Sequence, residues 1–352
     1  MRNCKKVGYV LIGKNSVDEL KGILDSKRTN SKIVVFAIDH FFKGSDIEKK
    51  LSVDTSKDIV IYVDTTHEPK TDYIDKYVEL IKSKCGTKLP DVIVGVGGGS
   101  TLDSAKAISV MLTNPGKTEN YQGWDIVKNP AIYKIGIPTL SGTGAEASRT
   151  AVLTSKIKKL GINSDYSIFD QIILDSTFQD TIPKEQFMYT AMDCFVHNVE
   201  SLSGTTNDAL TIAYAEKSME ILKQIFLGEM NHEKLMVASY YGGLAVANSN
   251  VGICHPLSYG LSLVMGYHHG IAISITFNQL EEYYPQVKEF KRILAKNDVK
   301  LPTDVMKNAS KEQIEAMIDA TLLNDKPLSN AFGPDWRQKF TRDKIRSLLM
   351  KM

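Results

Sequence analysis

Four near-continuous apolar runs alternate with helix-like segments between residues 32 and 180, and this alternation restricts the possible folds more than any other feature. The runs are KIVVFAID (32–39), DIVIYVD (58–64), DVIVGVGGG (91–99) and YKIGIPT (133–139). Strands without polar alternation are typical of parallel sheets buried on both faces. Helical spacing is found at 71–84 and 101–112, and 162–174 is expected to add strand structure. We therefore expect an open, mainly parallel α/β sheet that binds ligands beyond the carboxyl ends of its strands.

Beyond Pro183 the pattern changes to helices without a clear strand. The predicted helices are 184–202, 207–226, 232–248, 256–265, 270–284, 286–295 and 311–323. A chain of 352 residues exceeds the size at which single cores usually stop growing. We therefore predict an α/β domain over residues 1–180 and an all-α domain over 181–352. The segment 335–352, DWRQKFTRDKIRSLLMKM, is predicted to be a basic amphipathic helix on the surface.

The composition argues against several classes of partner. A formal net charge of +2, with 24% charged and 43% hydrophobic residues, favours neither nucleic acid nor a membrane surface. No apolar run reaches the roughly 18 to 20 residues of a membrane span, and the start of the chain does not resemble a signal peptide. The cysteines show no CxxC or framework spacing, which fits a reducing cytoplasm; they are Cys4, Cys85, Cys194 and Cys254.

Two glycine-rich turns follow predicted strands. In GVGGGSTLDSAKAI (95–108) a strand runs through glycines into a helix, an arrangement that lets a pyrophosphate approach the helix amino end. Ser100 occupies the last glycine position of a GxGxxG fingerprint, and a plain tight turn is the alternative. The second turn is PTLSGTGAEAS (138–148), whose hydroxyl groups could donate to a phosphate or a nicotinamide amide; a flexible connection is the alternative. These hydroxyls belong to Thr139, Ser141 and Thr143.

Asp39 ends the first long strand, where a carboxylate can accept hydrogen bonds from a ribose diol. The same charge would repel a 2′-phosphate, so this position favours NAD over NADP. The acid precedes the glycine turn in the chain, whereas in an ordinary Rossmann unit it follows. Asp39 could therefore instead cap the start of a helix.

Three of the seven histidines lie in GICHPLSYGLSLVMGYHHG, residues 252–270. In one straight helix His255 and His269 would lie about 21 Å apart. Pro256 suits a first helical turn and Gly266 suits a left-handed helix end. We therefore expect a second helix to begin at His269 and to fold back towards His255.

A second pair of possible ligands lies in YTAMDCFVHNVESL (189–202), where Asp193 and His197 are one helical turn apart. One carboxylate and three imidazoles suit one divalent ion, Fe(II) or Zn(II). An exposed helix face with histidines satisfied elsewhere is the alternative. All four residues lie in the predicted helical domain and both glycine turns in the first, so we expect them to meet in the cleft between domains.

Taken together, GGGSTLDSAKAI, PTLSGTGAEAS, DCFVH and the spacing of His255 and His269 resemble the iron-dependent (group III) alcohol dehydrogenase family over about residues 10–280. That family shares its architecture with dehydroquinate synthase and glycerol dehydrogenase. The resemblance implies a dinucleotide-binding domain followed by a helical domain that carries one divalent metal. The implied metal ligands are Asp193, His197, His255 and His269.

The resemblance also implies a cofactor site. Asp39 falls on the position that selects NAD, and Lys159 matches a lysine that contacts the cofactor. Thr139 and Thr143 would lie along the dinucleotide, with Ser141 between them. The residues expected to hold the pyrophosphate, or to lie beside it, are Gly97, Gly98, Gly99, Ser100 and Asp103.

Several positions depart from the family pattern. Tyr259 replaces a histidine near the substrate, and a phenol, with a reference pKa near 10, is a poorer base. Tyr259 is therefore a catalytic candidate with a different proton relay. Glu68 replaces an asparagine and His268 replaces a proline. These changes affect the expected substrate more than the fold.

The resulting hypothesis is a cytoplasmic, homodimeric, metal- and NAD-dependent dehydrogenase that interconverts a primary alcohol and an aldehyde. Polar residues at positions 68, 259, 267 and 268 favour a hydroxyl-rich substrate. The chain resembles the branch that oxidises the 8-hydroxyl of 3-deoxy-D-manno-octulosonate, which would require a basic residue, such as Arg149 or Lys159, to bind the sugar carboxylate. The alternatives are a lyase like dehydroquinate synthase, a polyol dehydrogenase like glycerol dehydrogenase, and a non-catalytic sugar- or nucleotide-binding protein.

Overall fold

The computed structural model of the protein describes residues 5–180 and 182–352. Cys4 lies outside these residues, as does Thr181, at which the helical domain was predicted to begin. The described chain forms two compact units. One contains residues 5–140 and 145–180, and the other contains residues 141–144 and 182–352.

The first unit is built on a six-stranded sheet in which all neighbouring strands are parallel. The strands of this unit are β1 Tyr9–Ile12, β2 Val34–Asp39, β3 Ile59–Val63, β4 Val92–Gly97, β5 Gly123–Trp124, β6 Tyr133–Pro138, β7 Thr150–Thr154, β8 Lys159–Asn163 and β9 Gln171–Leu174. The large sheet has the order β1-β9-β6-β4-β2-β3, and a small sheet has the order β5-β8-β7. The predicted open, mainly parallel sheet is confirmed.

Helices of the first unit cover the sheet because its central strands are apolar on both faces. These helices are α1 Leu20–Lys27, α2 Asp46–Lys49, α3 Thr71–Cys85 and α4 Gly99–Met111. Strands β2 and β4 are almost entirely buried. Helix α4 packs closely on β4, since a Cβ at Gly95 would lie 2.6 Å from the Cβ of Ala105. The absence of a side chain at Gly95 therefore allows α4 to pack close to the sheet.

The second unit is helical. Its helices are α5 Lys184–Ser203, α6 Ala209–Leu227, α7 His232–Asn248, α8 Cys254–Met265, α9 His269–Phe277, α10 Val287–Lys296, α11 Lys311–Leu322, α12 Asp325–Phe332, α13 Trp336–Lys339 and α14 Arg342–Leu349. An aromatic cluster of Phe195, Phe277 and Phe290 joins α5, α9 and α10 through ring centroids 5.1 to 6.2 Å apart. No helix in the described part of the chain combines the length and apolarity needed to cross a bilayer.

The end of the chain differs from its prediction as one surface helix. Helices α13 and α14 occupy this segment, and the residue between Lys339 and Thr341 is not helical. Trp336, Phe340 and Leu349 are buried in the core of the helical unit. The basic residues of the segment suggested a surface helix, whereas its apolar residues pack into the core of the helical unit.

The second glycine turn also lies elsewhere than predicted, because residues 141–144 belong to the helical unit. The Gly142 N–H donates to Ser239 Oγ on α7 at 2.8 Å. Gly142 has a φ of +145°, and a Cβ there would lie 1.8 Å from the carbonyl oxygen of Thr190 on α5. The turn is therefore packed against two helices and is not a flexible connection.

This close approach predicts that Gly142→Ala destabilises the protein. Overpacking typically costs about 1 to 3 kcal/mol, and the positive φ adds strain, so the midpoint of thermal unfolding should fall. Gly22→Ala in α1 is the matched control, because no atom lies within 4 Å of its added Cβ and alanine favours helix. An unchanged midpoint in Gly142→Ala would contradict the packing described here.

Candidate functional site

Three helices of the second unit bring together the four residues predicted from the sequence. Asp193 and His197 lie one turn apart on α5, and His255 lies in the first turn of α8. Gly266 ends α8 with a φ of +78°, and α9 begins at His269. The predicted helix break and fold-back are therefore confirmed.

The Asp193 carboxylate lies at the centre of this cluster. Its Oδ1 is 3.4 Å from His255 Nε2 and 3.7 Å from His197 Nε2, and its Oδ2 is 3.6 Å from His269 Nε2. The rings of His197 and His255 stack with centroids 4.6 Å apart. Ligands about 2.1 Å from one tetrahedral ion are roughly 3.4 Å from each other. The ligand atoms of Asp193, His197 and His255 therefore lie close enough together to share one ion, and His269 lies beside them.

Three buried atoms of the cluster make no hydrogen bond within the described chain. Among the residues that the structure describes, neither Asp193 oxygen nor His255 Nε2 has a hydrogen-bond partner, although all three atoms are buried. Buried polar atoms are normally hydrogen-bonded, and a buried carboxylate without hydrogen-bond donors is costly. One divalent cation would satisfy these atoms, so the residues present fit a metal ion.

The charges of the cluster are strongly coupled. Burial alone would raise the pKa of Asp193, but the imidazoles of His197, His269 and His255 outweigh it and hold the pKa well below its usual range. Burial lowers the pKa of His197, with partial opposition from Asp193. Asp193 is therefore an anion in the folded protein, and its negative charge would attract a cation bound among the imidazoles.

Sequence reasoning missed Glu200, a fully buried acid on α5. Its Oε2 lies 2.5 Å from His255 Nδ1, and its Oε1 accepts the Cys254 N–H at 2.6 Å. Burial would lower the pKa of His255, but the charges of Glu200 and Asp193 outweigh it and raise the pKa to about 9. Asp193, His197 and Glu200 have the spacing i, i+4, i+7 of one helix face, a signal that could have identified Glu200.

Tyr259, the catalytic candidate, lies beside the cluster on α8. Its ring centroid is 6.2 Å from that of His255 and 5.7 Å from that of His269. The side chain of His269 is 24% exposed, whereas those of Asp193 and His255 are at most 2% exposed. The cluster is therefore most accessible on the side of His269 and Tyr259.

Cys194 and Cys254 are buried in the core, as expected of small packing residues.

The first glycine turn lies at the carboxyl end of β4, as predicted. Gly98 precedes α4, which begins with Gly99 and Ser100. A Cβ at Gly97 would lie 2.6 Å from the Thr101 side chain. The 13-residue helix α4 therefore starts directly at the turn, with the free N–H groups of its first residues.

Both carboxylate oxygens of Asp103 contact residues of the first unit. One oxygen accepts the Val152 N–H at 2.9 Å, and the other lies 3.3 Å from the Lys106 ammonium. Lys106 is fully buried and also donates to the Thr150 carbonyl at 2.8 Å. Burial raises the pKa of Asp103 and lowers that of Lys106, while each charge opposes the shift of the other. The pair joins α4 to β7.

Asp39 caps a short 3-10 helix, His40–Phe42, which was the alternative prediction for this residue. Its Oδ1 accepts the Phe41 N–H at 3.1 Å and the Thr65 hydroxyl at 3.0 Å. The side chain remains 16% exposed at the carboxyl end of β2. The capping prediction is therefore confirmed, and the ribose role of Asp39 stays a prediction.

The remaining predicted residues lie in both units. Thr139 is buried directly after β6, and Ser141 is buried in the turn of the helical unit, two residues before the partly buried Thr143. Lys159 is paired with Glu68 at 2.9 Å. Arg149 forms ion pairs with Asp125 and, at 3.0 Å, with Asp165.

Comparison with known proteins identifies the family. The model of the iron-containing alcohol dehydrogenases matches residues 8–176, and that of the C-terminal part of the same family matches residues 187–325. The chain belongs to the iron-containing alcohol dehydrogenase family. The resemblance inferred from the sequence motifs is confirmed at this level.

Relatives of this chain differ in the substrates they are named for. The chain is 34% identical over 223 residues to the sulfoacetaldehyde reductase of Bilophila wadsworthia, a match that covers 61% of this chain and 57% of the reductase. It therefore spans less than two thirds of that relative's length. It is 27% identical to the NAD-dependent methanol dehydrogenase of Bacillus methanolicus, covering 75% of this chain and 71% of that protein.

Two solved structures share the fold of this chain at low sequence identity. An alcohol dehydrogenase from Oenococcus oeni has a TM-score of 0.84 at 21% identity and covers 99% of both chains. A sulfoacetaldehyde reductase from Bifidobacterium kashiwanohense, solved in complex with NAD+, has a TM-score of 0.79 at 20% identity, covering 99% of this chain and 97% of that one. These similarities establish the architecture.

The buried pair of Asp103 and Lys106 yields a stability prediction for this family member. Asp103→Asn leaves a buried ammonium without its counter-charge, which typically costs about 3 to 5 kcal/mol. The midpoint of thermal unfolding should therefore fall clearly, even without cofactor. Asp46→Asn removes the exposed pair with Lys49 and should change the midpoint little. Equal midpoints for the two variants would show that the buried pair contributes no stability.

Proposed function

We propose that this protein is a metal-dependent, NAD-linked alcohol dehydrogenase that interconverts a primary alcohol and an aldehyde. The observation that carries the proposal is the buried Asp193 carboxylate, faced by three imidazoles and lacking hydrogen-bond partners among the described residues. Membership of the iron-containing alcohol dehydrogenase family supports the same reaction class.

The metal would be held by Asp193, His197, His255 and His269. One carboxylate and three imidazoles suit Fe(II) or Zn(II) better than Ca or Mg, which prefer oxygen ligands. When bound, a divalent ion of this kind polarises an alcohol oxygen and lowers its pKa. Because one carboxylate balances only one of the two positive charges, the site as a whole would favour negative charge on a substrate oxygen.

The chain's own residues would orient the alcohol. The more exposed side of the cluster, at His269 and Tyr259, is the side from which a substrate can approach. The Tyr259 hydroxyl can donate a hydrogen bond to the substrate oxygen or accept one from it. A bound NAD would supply the hydride acceptor in the oxidative direction, so that an alcohol and NAD would give an aldehyde, NADH and the released hydroxyl proton.

The dinucleotide would lie across the carboxyl ends of the strands. The turn of Gly97, Gly98, Gly99 and Ser100 would hold the pyrophosphate at the start of α4. Asp39 would accept the adenosine ribose hydroxyls and disfavour the 2′-phosphate of NADP. The other residues proposed along the cofactor are Asp103, Thr139, Ser141, Thr143 and Lys159. We assign cofactor binding to residues 1–180 and metal binding to residues 181–352.

We propose a broad substrate class and, within it, one specific substrate. A small alcohol or aldehyde is the broader proposal, supported by relatives named for sulfoacetaldehyde and methanol. The 8-hydroxyl of 3-deoxy-D-manno-octulosonate is the finer prediction. It requires a cation for the sugar carboxylate, but Arg149 and Lys159 already pair with acids of the chain. Those pairs would have to open, or share their cations, for the sugar acid to bind.

Removal of one ligand tests the metal centre. His255→Ala should lose the bound metal and reduce turnover by at least about a thousandfold, because ion and substrate orientation are lost together. Metal content by mass spectrometry and NADH formation by absorbance measure the two effects. His67→Ala changes an exposed histidine and should retain the metal. Full activity of the His255→Ala protein, or of a metal-free preparation, would refute the proposal.

A substrate screen tests the reaction and separates the broader substrate proposal from the finer one. Simple primary alcohols, polyols and the sugar acid are compared by NADH formation with NAD or NADP as the cofactor. We expect alcohol-dependent NADH formation and a higher kcat/KM with NAD than with NADP. Oxidation of simple alcohols without any response to the sugar acid would exclude the finer prediction only. No NADH with any alcohol, and no aldehyde reduction, would contradict the dehydrogenase itself.

A further inference from the structure

Glu200 links two of the helices that carry the proposed metal ligands. It lies on α5, three residues after His197, and its side chain is fully buried. Its carboxylate faces the start of α8, where Cys254 and His255 are the first two helical residues. An acid at this depth requires compensation for its lost hydration.

Each oxygen of this carboxylate has a different partner. Oε2 lies 2.5 Å from His255 Nδ1, whereas Oε1 accepts the Cys254 N–H at 2.6 Å and lies 3.4 Å from the Tyr284 hydroxyl. The N-cap residue of α8, Ile253, makes no side-chain hydrogen bond to the helix. Glu200 therefore caps α8 from a neighbouring helix and contacts the imidazole of its first turn at the same time.

The approach of the chain to this carboxylate is tightly restricted. The Ile253 N–H donates to the Tyr284 hydroxyl at 3.3 Å. A Cβ at Gly252 would lie 2.4 Å from that hydroxyl and 2.9 Å from Glu200 Oε1. Residues 252–254 can therefore reach this position only because residue 252 is glycine, and the distance between Glu200 and His255 is set by the backbone.

The contact also determines how the two ring nitrogens of His255 are used. An ionised carboxylate only accepts hydrogen bonds, so Nδ1 must be the donor to Glu200. Metal binding requires the neutral imidazole, in which the other nitrogen then carries the lone pair. That nitrogen, Nε2, lies 3.4 Å from Asp193 Oδ1 and has no hydrogen-bond partner within the described chain.

We propose that Glu200 is a positioning residue for the metal centre. It holds His255 in the Nδ1–H tautomer and fixes the ring so that Nε2 is directed at the ion. This inference rests on the proposed function, because it requires a metal among Asp193, His197, His255 and His269. Carboxylates that orient a metal-binding histidine in this way also increase its basicity as a ligand.

The test compares Glu200→Gln with Tyr284→Phe as a matched control. Tyr284→Phe removes the hydroxyl beside Glu200 Oε1 and leaves the carboxylate in place. Glu200→Gln replaces the carboxylate itself, so only this variant alters the contact with His255. Affinity for Co(II) is measured by competition with a chromophoric chelator, and the Co(II) absorption spectrum reports the ligand geometry. Glu200→Gln should raise the Kd for Co(II) about 10- to 100-fold and change the spectrum. Tyr284→Phe should leave the parental Kd and spectrum in place.

The possible results separate this inference from the proposed function. If the parent protein binds Co(II) and Glu200→Gln binds it with the same Kd and spectrum, Glu200 is only a helix cap and the inference is wrong. If Tyr284→Phe weakens binding as much as Glu200→Gln, general loosening explains the effect and the inference is also wrong. If the parent protein binds no Co(II), the proposed function fails, and this inference with it.

A measurement on the unaltered protein covers the case in which Glu200→Gln does not fold. Long-range proton–nitrogen NMR of the zinc-loaded parent protein identifies the tautomer of each histidine. Histidine resonances are assigned with a His255→Gln sample. We expect the His255 proton on Nδ1. A proton on Nε2 would overturn the inference, whatever the behaviour of the variants.

Discussion

The proposed chemistry depends on the burial of one carboxylate without ordinary compensation. Both oxygens of Asp193 are enclosed by imidazoles at distances too long, or angles too poor, for hydrogen bonds among the described residues. A buried acid normally acquires hydrogen-bond donors or takes up a proton. Here the imidazoles instead hold the pKa of the acid low, so a concentrated negative charge is maintained. A divalent cation is the partner for which this arrangement is suited.

The fold supplies the cluster through local features that can be named individually. Helical periodicity places Asp193 and His197 on one face of α5, and the left-handed Gly266 allows α9 to start at His269. Glu200 then connects α5 to the first turn of α8. The aromatic cluster of Phe195, Phe277 and Phe290 fixes α5 and α9 against α10. Packing and ligand geometry therefore depend on the same helices.

Much of this architecture could be predicted from the sequence because the relevant signals are local. Apolar runs identified β2, β3, β4 and β6, and the spacing of apolar residues identified α5 to α11 within a few residues, except that α9 ends at Phe277 and not near 284. The short strands β1, β5 and β7 were not predicted, because two to five residues carry too little periodicity.

Glu200 was missed because its partner is 55 residues away in the chain, although its i+7 spacing was visible. The position of residues 141–144 depends on contacts with Thr190 and Ser239, which no local pattern indicates.

Anomalous X-ray diffraction from crystals of the metal-loaded protein tests the central claim most directly. Data collected above and below the absorption edge of the bound metal locate it without reference to activity. The account predicts one strong peak about 2.0 to 2.3 Å from an oxygen of Asp193 and from a ring nitrogen each of His197, His255 and His269. A fully loaded crystal with its peak elsewhere, or with no peak among these side chains, would contradict it.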